Sequence, residues 1–219
     1  MADVKFCGLT RAEDARVAAS LGAAYLGVIF AGGPRLLTPA QACEVLDGAL
    51  SAERQAAARR VGVFGAQSAG EIVSAARAAR LDVAQLHGGS DAGLVSDLRA
   101  RFDGEIWRVV RVAESLTPDE VRAASEGVNA VLFDALVAGG LGGTGRAVDW
   151  RHLASLLERA GRPARVVLAG GLRADNVAEA IGLVAPEVVD VSSGVESAVG
   201  VKDHAKMRAF AESAARGGR

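Results

Sequence analysis

The chain has 219 residues, half of them hydrophobic, and a formal net charge of -1; this length supports one well-buried core and is short for two domains. The balanced charge predicts no nucleic-acid partner and no anionic membrane surface. Cys7 and Cys43 make neither a disulfide framework nor a metal-spacing motif, no apolar run approaches the ~20 residues of a membrane span, and the start MADVKFCG lacks a leader pattern, so a reduced, cytoplasmic protein is expected.

Along the chain, short β-branched runs alternate with longer, Ala-rich amphipathic stretches. Strands are predicted at residues 4–7, 25–30, 60–64, 83–86, 106–110, 130–133, 165–168 and 188–191. Helix-start signals follow most of them. Thr10 and Glu13 have capping-box spacing for a helix over 11–21. Thr38, Pro39 and Gln41 supply an N-cap, a proline at N1 and a box partner for a helix over 40–50, which places Cys43 mid-helix in the core. Thr117, Pro118 and Glu120 repeat that signature, and Asp203 opens a last helix running towards Ala214.

Strands separated by helices pair in parallel through right-handed crossovers. Eight such repeats predict one closed (β/α)8 TIM barrel over residues 1–215, with 216–219 a flexible tail. The absence of Gly-x-Gly-x-x-Gly after the first strand disfavours an open dinucleotide-binding sheet. In this barrel, active sites gather at the C-terminal ends of the strands, and the chemically unusual residues of this chain fall there.

On the first strand, period-2 alternation turns Lys5 and Cys7 to the same, interior face. A neighbouring ammonium favours the thiolate, the form of cysteine able to act as a base; the plainer reading is a buried structural thiol. The loop after the second strand delivers Arg35, suited to a carboxylate or phosphate, or simply solvated. Gln85 and His87 share a face at the end of the fourth strand, where His87 either binds a ligand or braces a loop. Asp134 ends an apolar strand, where a carboxylate is costly to bury without a role. Partial desolvation would raise its pKa and let it donate a proton. A helix-capping role is weakened because the next helix starts only near Asp149. Three glycine-rich segments then occupy consecutive loops: Gly142, Gly143, Thr144 and Gly145; Ala169, Gly170 and Gly171; Ser192, Ser193 and Gly194. Their backbone N–H groups can approach an anion closely, and a phosphate site near strands seven and eight recurs in this fold.

Taken in order, the segments 5–10 (KFCGLT), 62–64 (GVF), 85–88 (QLHG), 142–145 (GGTG), 149–150 (DW), 168–172 (LAGGL) and 190–196 (DVSSGVE) resemble the phosphoribosylanthranilate isomerases of tryptophan biosynthesis. The resemblance implies an Amadori rearrangement of N-(5-phosphoribosyl)anthranilate to 1-(2-carboxyphenylamino)-1-deoxyribulose 5-phosphate. It implies that Cys7 is the general base, Asp134 the general acid and Arg35 the partner of the anthranilate carboxylate. Lys5, His87 and Asp190 would help to bind the substrate and the glycine-rich loops its phosphate. No metal and no cofactor is implied. The loops 31–35 and 135–141 depart from the usual family pattern.

Two other readings are weighed. Another phosphosugar barrel would need features missing here: paired strand histidines and aspartates for an epimerase, or a lysine acid with an N-terminal extension for an indole-glycerol-phosphate synthase. His152 and His204 instead fall in predicted helices. A non-catalytic, phosphate-binding barrel would have no use for Cys7 and Asp134 as a pair. Oligomeric state is not encoded in any local pattern.

Overall fold

The computed structural model describes residues 1–51, 58–88, 92–134 and 149–217. Among them, eight strands close a barrel in sequence order: β1 (Asp3–Phe6), β2 (Tyr25–Ile29), β3 (Arg59–Phe64), β4 (Val83–Leu86), β5 (Glu105–Arg111), β6 (Ala130–Asp134), β7 (Arg165–Ala169) and β8 (Val188–Val191). Each neighbouring pair is parallel, and β8 returns to β1. The helices are α1 (Ala12–Ser20), α2 (Pro39–Asp47), α3 (Ala69–Ala79), α4 (Ala92–Arg99), α5 (Pro118–Ser125), α6 (Trp150–Ala160), α7 (Val177–Val184) and α8 (His204–Gly217). A short antiparallel hairpin, β9 (Glu196–Ala198) and β10 (Val201–Lys202), is inserted between β8 and α8.

Alternation along each strand divides the apolar side chains into two cores. Outward positions such as Phe6, Leu26, Val131 and Leu168 pack against the helices, with Phe6 edge-on to Phe210 of α8 at 6.2 Å. Inward positions fill the barrel with Tyr25, Val61, Val83, Trp107, Leu132, Val167 and Val188. The lower interior is closed by Tyr25 against Trp107, edge to face at 4.8 Å. Glu105 accepts the Trp107 indole N–H at 2.8 Å and pairs with Arg59 and Arg165. This plug leaves the inward positions at the other end of the strands for the site.

Helix starts follow local chemistry where the expected caps are present. Thr38 with Gln41 and Thr117 with Glu120 form complete capping boxes, each with proline in the first turn, and Ser68 with Glu71 forms a third. The box expected at Thr10 does not form. Arg11 occupies the N-cap of α1 with no side-chain cap, while the Thr10 hydroxyl donates to the Gly200 carbonyl of the β9–β10 turn and Glu13 pairs with Arg11. A tertiary acceptor has captured the capping hydroxyl. Cys43 also departs from expectation: it is half-buried on α2, with Arg80 Nη2 at 3.2 Å, rather than part of the core. The last helix runs to Gly217, so Arg216 and Gly217 are helical. The backbone of Gly217 packs so closely on α7 that a Cβ there would stand 2.8 Å from Ala178 Cα.

Candidate active site

At the C-terminal ends of the strands a cavity of about 360 Å³ opens, lined by Cys7, Ile29, Val63, Gln85, His87, Leu132, Asp134, Ala169, Asp190 and the loops 170–172 and 191–194. Cys7 and Asp134 therefore share one chamber. Their strands stand three apart around the ring, so their side chains reach it from well-separated parts of the wall. Asp149, not Asp134, caps α6, its side chain accepting from the His152 N–H at 3.0 Å. The capping explanation for Asp134 thus falls away.

Register places the charged residues. Lys5 on β1 lies directly beside Asp190 on β8, and its ammonium donates to Asp190 Oδ2 at 2.8 Å. Lys5 is completely buried. Burial alone would lower its pKa, but Asp190, by its charge and its hydrogen bond, counters this, and the net direction is above the ordinary lysine value. Gly27 makes room for the arrangement: a Cβ there would lie 3.0 Å from Cys7 Sγ and 3.3 Å from Lys5 Cε. The Cys7 thiol stands under opposing influences, among them the neighbouring Lys5 ammonium that the sequence pointed to. Burial is the largest influence on the thiol and raises its pKa; Lys5 opposes this, Asp190 adds to it, and the net direction is upward. The lysine's charge is largely committed to Asp190, which a β1 sequence pattern does not reveal.

Arg35 does not line the cavity. It packs over Gly8, whose φ of 70° and close approach exclude a side chain: a Cβ would stand 2.8 Å from Arg35 Cδ. Its Nε and Nη2 donate to Glu196 at 2.7 and 2.6 Å, and Lys202 Nζ donates to the same carboxylate at 3.0 Å. Burial would raise the Glu196 pKa, but these hydrogen bonds and charges hold it at about 2.

The loops after β7 and β8 meet beside Cys7 and Asp190. Gly170 and Gly171 both have positive φ, at 91° and 66°. A Cβ on Gly194 would overlap the Leu172 carbonyl, so the two loops can pack together only with glycine there. Ala169, Gly170, Gly171, Ser192, Ser193 and Gly194 all line the cavity. Gly142, Gly143, Thr144 and Gly145, and the loop 135–141, lie outside the described residues.

A family model described as N-(5'phosphoribosyl)anthranilate (PRA) isomerase matches residues 4–213. The chain belongs to the N-(5'-phosphoribosyl)anthranilate isomerase family. An isomerase of this family from Chromohalobacter salexigens is 40% identical over 208 residues, covering 94% of this chain and 91% of that one. The crystal structure of phosphoribosyl anthranilate isomerase from Thermotoga maritima superposes with a TM-score of 0.83 at 31% identity, covering 98% of this chain and 99% of that chain. A phosphoribosyl anthranilate isomerase solved in complex with reduced 1-(o-carboxyphenylamino)-1-deoxyribulose 5-phosphate has a TM-score of 0.79 at 30% identity, covering 98% and 99%.

Within this isomerase fold, two buried acceptors on the cavity wall, Gln85 Oε1 and Asp190 Oδ1, have no hydrogen-bond partner among the described residues. Buried acceptors without partners are rare in folded proteins and suit ligand donors. Gln85 was marked in the sequence by its alternation with His87 and by the segment 85–88, with no role attached. Glu196 entered only as the last residue of the segment 190–196, with no role attached, and Lys202 carried no local signal, because their proximity to Arg35 depends on the β9–β10 insertion.

Proposed function

We propose that this chain converts N-(5'-phosphoribosyl)anthranilate to 1-(2-carboxyphenylamino)-1-deoxyribulose 5-phosphate, with Asp134 as the acid and Cys7 as the base. The observation that carries this reading is the pairing of Cys7 and Asp134 in one cavity bordered by the loops after β7 and β8. Asp134 protonates the furanose ring oxygen as the C1–O bond opens, giving a cationic C1=N Schiff base. Cys7 then removes the acidified C2 proton. The resulting enolamine tautomerises to the ketone, and the net composition is unchanged. The burial that disfavours the thiolate at rest is offset once the Schiff-base cation forms nearby, since an opposite charge favours the ionised form. Positioning and proton transfer supply the catalysis.

Asp190 Oδ1 and Gln85 Oε1 accept sugar hydroxyls, while Lys5 holds Asp190 in place. His87 borders the aromatic end. The phosphate is held by residues 169–171 and 192–194, with 142–145 completing its site; this non-reacting group anchors the sugar. Arg35 offers the part of its guanidinium not bound to Glu196 to the anthranilate carboxylate. The two free cysteines fit a reducing, cytoplasmic setting.

The test is the loss of anthranilate-ester fluorescence with the unstable substrate generated in situ. Folded protein without turnover would refute the isomerase reading. Arg35→Ala is expected to raise KM about tenfold with a smaller change in kcat, as for loss of a contact made equally before and during reaction; an unchanged KM would remove Arg35 from the carboxylate site.

A further inference from the structure

Glu196 does not line the cavity, yet it joins two cations that come from separate parts of the barrel rim. Arg35 arrives from the loop after β2 and Lys202 from β10. The Glu196 side chain is only 6% exposed and that of Lys202 is fully buried. Lys202 also donates to the Ser192 carbonyl at 3.0 Å, which ties the cluster to the loop after β8. Both cations interact electrostatically with Cys7. Of the Arg35 fork, Nε and Nη2 are bound to Glu196, which fixes the direction of Nη1. The Arg35 stem is confined as well, since its Cδ lies against Gly8.

We propose that Glu196 is a positioning residue for the isomerisation: it aims Arg35 at the substrate carboxylate and balances the positive charge that Arg35 and Lys202 direct at Cys7. The first half rests on the reading of Arg35 as the carboxylate site; the second needs no substrate. A residue serving only to stabilise the hairpin would have neither effect. Among the described residues, the charged groups that act electrostatically on Cys7 include Lys5 from the strand before it, Asp190 from β8, Lys202 from β10 and Arg35 from the loop after β2. Removing the Glu196 charge leaves Arg35 and Lys202 less opposed, and the thiolate correspondingly favoured.

The test uses Glu196→Gln in a Cys43→Ser background, with two readouts. In steady-state turnover, KM is expected to rise about tenfold while kcat falls less than about threefold. In the ligand-free protein, the pH midpoint of Cys7 alkylation by iodoacetamide is expected to move downward. Glu196→Asp keeps the charge but is too short to span both cations, so it should raise KM and leave the midpoint in place. It also carries the KM test if Glu196→Gln does not fold. An unchanged KM with an unchanged midpoint in folded Glu196→Gln overturns the proposal, as does an upward midpoint shift. If Arg35→Ala leaves KM unaltered, the carboxylate reading fails by itself, and the alkylation midpoint still decides whether Glu196 balances charge at Cys7.

Discussion

Cys7 combines two demands that pull in opposite directions. A base must be deprotonated when it acts, yet this thiol is buried, and burial drives its pKa up. Lys5 would counter that more strongly if its ammonium were not 2.8 Å from Asp190. The sign of the pH dependence follows. Below the thiol's pKa the thiolate fraction grows with pH, so kcat/KM is expected to climb through neutrality and continue into the alkaline range rather than level off early. A pH–rate profile checks this; a plateau reached below pH ~7 would show a thiol with a lowered pKa, contrary to the burial argument. Replacing the proton-transfer groups, by Cys7→Ala or Asp134→Asn, is expected to reduce kcat by roughly 10²–10⁴-fold while the circular dichroism of the fold is retained. Near-full activity in Cys7→Ala would mean another group takes the C2 proton.

At the scale of elements, the β9–β10 hairpin is fastened to α1 by a completely buried carboxylate. Asp14 accepts a bidentate pair from Arg11, a contact from His204 at 2.8 Å and the Lys202 backbone N–H at 3.3 Å. Thr10 adds a bond to the Gly200 carbonyl. These contacts explain why α1 lacks a capping box although its sequence has the spacing for one. They also fix the element that carries Lys202 beside the loop after β8. Asp14→Ala leaves the Lys202 N–H without its acceptor, which costs about 1–3 kcal/mol, while Arg11, one-third exposed, keeps Glu13 as a partner. Denaturant unfolding should show that loss, and amide exchange should show the Lys202 N–H among the first to open. A loss below about 0.5 kcal/mol would place Asp14 among inconsequential surface charges. The two boxes read from the sequence, at Thr38 and Thr117, survive because they need only residues within one turn.

For the whole molecule, the barrel separates stability from chemistry along its axis. Tyr25, Trp107, Glu105, Arg59 and Arg165 close one end, and Cys7, Asp134, Gln85 and Asp190 line the cavity at the other. Trp107 is fully buried, so Trp107→Ala should cost about 3–5 kcal/mol by removing transfer energy and leaving a cavity. A lowered Tm with KM changed less than about twofold is the expected signature, because the plug supports the site without touching substrate. A large KM change at unaltered Tm would contradict that division.

The sequence by itself determined the barrel and the strand-end positions of Cys7, Gln85, His87, Asp134 and Asp190. Hydrophobic alternation and helix-start signals are local, and they persist whatever the rest of the chain does. The glycines after β7 and β8 were legible for the same reason: positive φ and tight loop packing leave few other residues acceptable. Tertiary structure alone decided how the charges are shared. Lys5 meets Asp190 across 185 residues, and Arg35 meets Glu196 across 161. The burial of Cys7 and the first encounter set the direction in which its pKa moves, and the second sets the direction of the Arg35 fork. A side chain's charge is written at its own position, but its effective field depends on distance and desolvation, and both exist only once the barrel has closed.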